Sequence, residues 1–427
     1  MARPLTNRRT FIRSLGAASA IGLAGCTGGG NGGNGGSSGT TATPTGKPTS
    51  TSAKPSGDIV IGDAAPLSGP IAPWGQLHKA GLEFAAKEIN DNGGVLGQHV
   101  KIVSQDTQAD PTTAATAVQR LVSEEGAIAV SGPVLSNVGI RIRQVAEQAK
   151  VPHIPNLAAS ANLLTKDTRY TFRLAGAATP WLARAIAGYI KQNGWTVYGA
   201  IIADYAYGHS YEEAMKRYIT SMSGLQSTVE LGPPKPGDFT SQLRKMPSDL
   251  QFLDVAGHPI AIFDIVQQAL QIGLHPAVMT GATLPSGQFY GALGDTVSKG
   301  VTTFPPVDVT ASDYLSVANR YYKATNKFFD PFVGFGWDTV TLIEQALESA
   351  GKADPQALRD AISAIDYDTI LSYPSVSYTD WGELKQTKLI GQQFVLDAPS
   401  YYPKGKYSFK NVYETDVYGP VDPTNWG

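Results

Sequence analysis

Residues 58–427 alternate between two patterns of apolar and polar positions. Short, continuously apolar runs such as 59–61 and 197–203 are typical of strands buried on both faces of a parallel sheet. Longer segments such as 74–92 carry apolar residues three and four positions apart, which predicts helices with one buried face. The sequence therefore predicts strands that alternate with helices.

This alternation occurs twice along the chain. The first run predicts strands and helices in turn over 59–61, 74–92, 99–104, 113–125, 128–130, 137–150 and 151–154. After Pro180 the second run predicts helices and strands over 181–192, 197–203, 211–221, 252–255, 259–271 and 276–280. Helices are then expected over 312–325, 339–350 and 355–364, and the Tyr-rich C-terminal part is expected to form short strands and loops.

Two such runs predict an α/β protein with two lobes, each a mostly parallel sheet flanked by helices on both faces. Ligands of open parallel sheets bind beyond the carboxyl ends of the strands. Two lobes that face each other at these edges would enclose a binding cleft.

The N-terminal segment has the pattern of an export signal. The pair Arg8-Arg9 with the residues after it resembles a twin-arginine signal, and the apolar stretch 14–24 is shorter than the roughly 20 residues that span a bilayer. The stretch ends at 23–26, which resembles the lipobox in which Cys26 receives a lipid. We expect a lipoprotein signal peptide over 1–25, then the lipidated cysteine and a flexible Gly/Ser/Thr linker over 26–57.

Composition excludes several classes of protein. A net charge of -2 with no basic run gives no reason to expect nucleic acid as a partner. Cys26 is the only cysteine and the six histidines are scattered, so neither a disulfide, a metal site nor a cofactor is expected. The segment 208–212 lacks the final glycine of a nucleophile turn, and we expect no enzyme.

Several short motifs occur in a specific order: Pro66-Leu67-Ser68-Gly69-Pro70, Trp74-Gly75, Glu88-Ile89-Asn90-Asp91-Asn92-Gly93-Gly94, Asp106-Thr107-Gln108-Ala109-Asp110-Pro111, Phe172-Arg173 and Asp204-Tyr205-Ala206-Tyr207-Gly208. Together they resemble the type I periplasmic binding proteins, in particular the Leu/Ile/Val-binding branch that serves ABC importers. The resemblance covers the chain from about residue 58 to its end.

This resemblance implies a ligand-binding domain over 58–427 with three hinge crossovers, near 178, 307 and 373. The first lobe would comprise about 58–178 and 308–372. The second lobe would comprise about 179–307 and 373–427. The hinges would let the lobes close on a ligand.

The resemblance also implies a set of ligand-binding residues. A ligand carboxylate would meet the Ser136 hydroxyl at a helix N-terminus, the Ala159 backbone amide and the Ser160 hydroxyl. Three aromatic residues match contact positions of the family: Trp74, Tyr207 and Phe332. The serines would otherwise be helix N-caps, and Trp74 and Phe332 would otherwise pack in the core.

Thr283 departs from the family pattern, since it stands where the resemblance leads us to expect an acid that binds the ligand ammonium. A neutral hydroxyl offsets a desolvated ammonium less well than a carboxylate does. Three alternatives remain open: a ligand without an ammonium group (an amide, a urea-like solute or a carboxylate), Asp204 in the acidic role, or a shifted alignment.

The sequence therefore predicts a lipoprotein on the outer face of the cytoplasmic membrane that binds a branched-chain amino acid or a related small polar solute. Its partner would be the membrane-embedded permease of an ABC importer. The alternative is a tethered ligand sensor of the same fold that signals through another protein.

Overall fold

A computed structural model describes residues 57–257, 261–281, 283 and 285–424. The predicted signal peptide, Cys26 and all of the linker except Gly57 lie outside these residues. Within the described residues, no helix combines the length and the apolar character needed to cross a membrane.

The first sheet has four parallel strands in the order β2-β1-β3-β4. Its strands are β1 (Ile59–Ala65), β2 (Val100–Asp106), β3 (Ala129–Ser131) and β4 (His153–Ile154). Three helices connect or follow them: α1 (Ala72–Asp91), α2 (Pro111–Ser123) and α3 (Ser136–Ala149). A short 3₁₀ helix follows at Ala161–Leu163.

The second sheet repeats this arrangement, again with four parallel strands, in the order β6-β5-β7-β8. Its strands are β5 (Val197–Ala203), β6 (Gln226–Gly232), β7 (Phe252–Ala256) and β8 (Val278–Met279). The helices of this region are α4 (Thr179–Asn193), α5 (Ala206–Tyr218), α6 (Thr240–Leu243), α7 (Ala261–Gln271) and α8 (Ser286–Leu293). A 3₁₀ helix lies at Gly294–Ser298.

The chain then returns to the first sheet through α9 (Ser312–Thr325), α10 (Pro331–Ala350) and α11 (Pro355–Ser363). Glu88 of α1 joins these helices: it accepts from Arg320 Nε at 2.6 Å and from Trp337 Nε1 at 2.8 Å. Residues of α9 and α10 therefore pack with the first lobe.

The last part of the chain forms an antiparallel sheet in the order β11-β10-β9. Its strands are β9 (Thr302–Thr303), β10 (Ile390–Val395) and β11 (Ser408–Glu414). Met279 of β8 is bridged to Val301, so this sheet continues the second lobe.

The resemblance implied a third crossover near residue 373. In the structure the crossover lies later in the chain. Arg173 N–H donates to the Gly382 carbonyl, and the Phe172 ring contacts the Tyr378 ring at 5.2 Å between centroids. Residues 376–384 therefore pack on the first lobe, and the chain reaches the second lobe only between residue 384 and β10. The physical reason is a buried ion pair of Arg173 with Glu383, described below.

The alternation of strands and helices predicted from sequence is present, and β5 and α9 have the predicted bounds. Helix α10 begins at Pro331, eight residues before the predicted start at 339, because the Asp330 side chain accepts from Phe332 N–H as an N-cap. Strand β6 was not predicted, since it is largely half-buried and lacks a continuous apolar run.

Candidate functional site

A cavity lies between the carboxyl ends of the two parallel sheets and encloses about 660 Å³ of unoccupied space, part of it open to solvent. Six strands end beside it, since lining residues follow β1, β3, β4, β5, β7 and β8 in the chain. The lining residues are Trp74, Val134, Leu135, Ser136, Leu157, Ala159, Ala177, Leu182, Tyr205, Tyr207, Gly257, Thr283 and Phe304.

Trp74 lies in the first turn of α1 and is only 1% exposed. The helix can approach the end of β1 because the next residue is Gly75: a Cβ there would lie 2.1 Å from the Pro66 carbonyl oxygen. This close approach places the indole against the cavity.

Ser136 is the first residue of α3, whose intrahelical hydrogen bonds begin with Gly139 N–H donating to the Leu135 carbonyl. The N–H groups of the first turn therefore have no intrahelical partner, and the positive end of the helix dipole lies here. Ser136 Oγ accepts from Ser160 N–H at 3.1 Å, so its own hydroxyl hydrogen is available to a ligand in the cavity.

Residues 158–160 form a strip whose three carbonyl groups all accept hydrogen bonds from within the protein. Arg173 donates from Nη1 to the Ala158 carbonyl at 3.0 Å and from Nη2 to the Ser160 carbonyl at 3.1 Å. Thr179 N–H donates to the Ala159 carbonyl at 3.0 Å. With its carbonyls engaged in this way, the strip presents Ala159 to the cavity.

Arg173 is itself held by a buried ion pair. Its Nε donates to Glu383 Oε1 at 2.8 Å and Oε2 at 3.1 Å, and the two side chains are 0% and 1% exposed. Burial raises the pKa of Glu383, and the neighbouring guanidinium opposes that rise. In the sequence Arg173 was only a motif residue and Glu383 carried no signal, because 210 positions separate them.

Tyr205 and Tyr207 form the second-lobe wall of the cavity, and Tyr211, which does not line it, stacks on Tyr207. The rings of Tyr205 and Tyr207 stack at 6.3 Å between centroids, and those of Tyr207 and Tyr211 at 6.2 Å with an interplanar angle of 3°. Gly257 has a φ of +76°, and a Cβ there would lie 2.7 Å from Tyr207 Cδ1. Only glycine both adopts this backbone conformation easily and leaves room for the ring.

Asp254 supports the tyrosine wall from within the second lobe. It is 1% exposed and accepts from Tyr198 Oη at 2.7 Å and from the Tyr211 hydroxyl. Burial raises the pKa of Asp254 to about 6, and the two tyrosine hydroxyls oppose the rise. The carboxylate therefore orients Tyr211, which in turn stacks on Tyr207.

The structure brings five of the predicted residues to the cavity wall: Trp74, Ser136, Ala159, Tyr207 and Thr283. Ser160 lies beside the wall, where its Oγ accepts from Asn162 N–H as the N-cap of the 3₁₀ helix. Phe332 is fully buried in the core against Phe335.

Asp204, the alternative acid, does not line the cavity. Its side chain is 63% exposed and pairs with His209 at 3.1 Å. Sequence reasoning did not single out Leu182, Tyr205 or Phe304 as lining residues, although Tyr205 belongs to a recognised motif. Across the described stretches of the chain, no group of three or more His, Cys, Asp or Glu side chains is arranged to hold a metal ion.

A two-lobed α/β fold with a cavity between the carboxyl edges of its sheets defines a class of solute-binding proteins. Comparison with known proteins gives the family: the model described as periplasmic binding protein matches residues 58–392. The chain belongs to this family.

Three known proteins illustrate the likeness. A Leu/Ile/Val-binding protein homolog of Brucella melitensis is 26% identical over 350 residues, which cover 77% of this chain and 92% of that protein. The crystal structure of a leucine-binding protein of Thermotoga maritima superposes with a TM-score of 0.72 at 19% identity, covering 83% of this chain and 98% of that one. The crystal structure of a solute-binding protein of an ABC transporter from R. palustris, in complex with benzoate, superposes with a TM-score of 0.70 at 18% identity. The superposition covers 86% of this chain and 98% of that one.

Proposed function

We propose that this chain is the extracytoplasmic solute-binding subunit of an ABC importer and that it encloses one small solute in the cavity between its lobes. One observation carries the proposal: lining residues follow six parallel strands from two sheets and converge on a single cavity. The names of the relatives support it, since they are binding proteins and one belongs to an ABC transporter.

The first lobe supplies a place for an anionic end of the solute. The Ser136 hydroxyl, the N–H groups of the first turn of α3 and the Ala159 residue of the strip lie on the same side of the cavity. Hydrogen-bond donors without acceptors of their own favour a carboxylate, and the helix dipole adds to this preference.

The second lobe closes the other side with an apolar and aromatic surface. The lobes already touch beside the cavity, where Ala161 N–H donates to Ser210 Oγ of α5 at 3.0 Å. A solute held by the first lobe would add contacts to Tyr207 and Thr283, so binding would favour the closed arrangement. The permease would then recognise the closed arrangement.

Replacing Ser136 with alanine should weaken binding of a carboxylate solute about 10–100-fold, because a hydrogen bond to a charged group contributes about 1.5–3 kcal/mol. Isothermal titration of the purified chain measures the effect. Ser123→Ala is the matched control, since Ser123 is an exposed residue whose hydroxyl donates to the Gln119 carbonyl within its own helix. Equal affinity of the Ser136→Ala and Ser123→Ala variants would contradict the assignment.

The membrane anchor is a separate part of the proposal and rests on the sequence around Cys26. Replacing Cys26 with serine removes the sulfur that would carry the lipid, so the protein should move from the membrane fraction to the soluble exported fraction. Fractionation with immunodetection measures this. Retention of the Cys26→Ser variant in the membrane fraction would contradict lipid anchoring and would leave solute binding unaffected.

A further inference from the structure

Among the residues that the structure describes, none of those lining the cavity between the lobes carries a charged side chain. Its polar lining side chains are those of Ser136, Tyr205, Tyr207 and Thr283, together with the Trp74 indole nitrogen. The segments outside the described residues contain no Asp or Glu, so every acidic side chain of the protein belongs to the described part of the chain. None of those acidic side chains lines the cavity.

The two acids that are nearest in the chain to lining positions are engaged elsewhere. Asp254 is buried behind the wall: a Cβ on Gly281 would lie 2.9 Å from Asp254 Oδ1, and two tyrosine hydroxyls donate to Oδ2. Asp204 faces solvent with His209. Neither residue lines the cavity.

An α-amino acid would bring an ammonium group into this cavity. Removing an ammonium from water costs several kcal/mol unless a carboxylate or a full set of acceptors replaces the water. On the second lobe the polar side chains at the cavity wall are those of Tyr205, Tyr207 and Thr283, whose hydroxyl groups are all neutral. The cavity therefore discriminates against a ligand with a primary ammonium group.

We infer that the solute is a carboxylic acid without an amino group, whose body is aromatic or branched aliphatic. The carboxylate would lie against Ser136 and Ala159. The body would contact the apolar surface, whose members are Trp74, Val134, Leu135, Leu157, Ala177, Leu182, Tyr207 and Phe304. This inference rests on the proposed function and names the substrate class of the same site.

A quaternary ammonium ligand would also avoid the need for a carboxylate, because aromatic ring faces can surround it. The structure favours the acid instead. The Tyr207 ring already stacks with the rings of Tyr205 and Tyr211. Five of the eight members of the apolar surface are aliphatic. Glycine betaine, a quaternary ammonium compound, is therefore included among the probes of the test.

The test compares pairs of ligands that differ only by the amino group. Isothermal titration of the purified chain would use 4-methylpentanoate against leucine and 3-phenylpropanoate against phenylalanine, with benzoate, 4-methylpentanamide and glycine betaine as further probes. Of the two acids, we expect the one with the higher affinity to bind at least about 100-fold more tightly than the amino acid of the same pair. This ratio corresponds to about 2.7 kcal/mol. The amide should bind more weakly than the acid, because it lacks the negative charge.

The outcomes separate the inference from the proposed function. Tighter binding of leucine or phenylalanine than of the corresponding acid would overturn the inference while solute binding stands. Binding of the amide or betaine in preference to every acid would overturn it in the same way. If none of these probes nor a wider panel of solutes bound, both the inference and the proposed function would fail.

Thr283→Glu supplies the missing carboxylate and tests the physical reason. This variant should bind leucine more tightly relative to 4-methylpentanoate by about 10-fold or more. Thr112→Glu places the same side chain on an exposed position of α2 and should leave the ratio unchanged. An unchanged ratio in Thr283→Glu would show that Thr283 does not face the amino position, and the inference would lose its main support.

Discussion

Replacing Arg173 with methionine should lower the free energy of unfolding by about 3–5 kcal/mol, because it leaves Glu383 as an uncompensated buried charge. The same change removes the donors to the Ala158 and Ser160 carbonyls. The strip would then be free to turn, so carboxylate affinity should also fall. Chemical denaturation and isothermal titration measure the two effects.

The double variant Arg173→Met/Glu383→Leu separates positioning from stability. Removing both charges should restore most of the lost stability, since a buried pair replaced by apolar residues is often neutral. Affinity should remain reduced, because the Ala158 and Ser160 carbonyls still lack the donors that Arg173 supplied. A double variant with normal affinity would show that Arg173 has no positioning role. Arg320→Met is the control, since its partly exposed pair with Glu88 contributes only about 0–1 kcal/mol.

Replacing Gly208 with alanine should destabilise the second lobe by about 1–3 kcal/mol and abolish most solute binding. Gly208 lies in the first turn of α5, where a Cβ would lie 1.8 Å from the Ala203 carbonyl oxygen at the end of β5. The backbone cannot accommodate that contact without moving the helix. Because Tyr207 is the preceding residue, the tyrosine wall would move with it.

Gly291→Ala provides the matched control for this substitution. Gly291 lies in helix α8, and a Cβ there would meet no atom within 4 Å. The same substitution should therefore stabilise the protein slightly, by up to about 1 kcal/mol, through higher helix propensity. Thermal unfolding and ligand titration of both variants measure the contrast. Parallel behaviour of the two variants would contradict the close packing of α5 against β5.

Much of the cavity could be predicted from sequence because of where its residues stand relative to the strands. Ser136, Ala159, Tyr207 and Thr283 each follow a predicted strand, and the carboxyl ends of parallel strands share one edge of a sheet. Ser160 and Phe332 were expected to contact the ligand. In the structure Ser160 is the N-cap of the 3₁₀ helix, and Phe332 packs in the core. The pattern of apolar and polar positions does not distinguish a residue that lines the cavity from one that packs directly behind the lining.

The sequence by itself determined the class of fold and the edge of each sheet where a ligand would bind, because alternation and strand ends are local properties. Only the tertiary structure decided that no acid reaches the cavity, that Asp254 is held by tyrosines and that Arg173 pairs with Glu383. These three features depend on contacts between segments far apart in the chain. The direction and burial of a charged side chain follow from packing, and local periodicity carries no record of them.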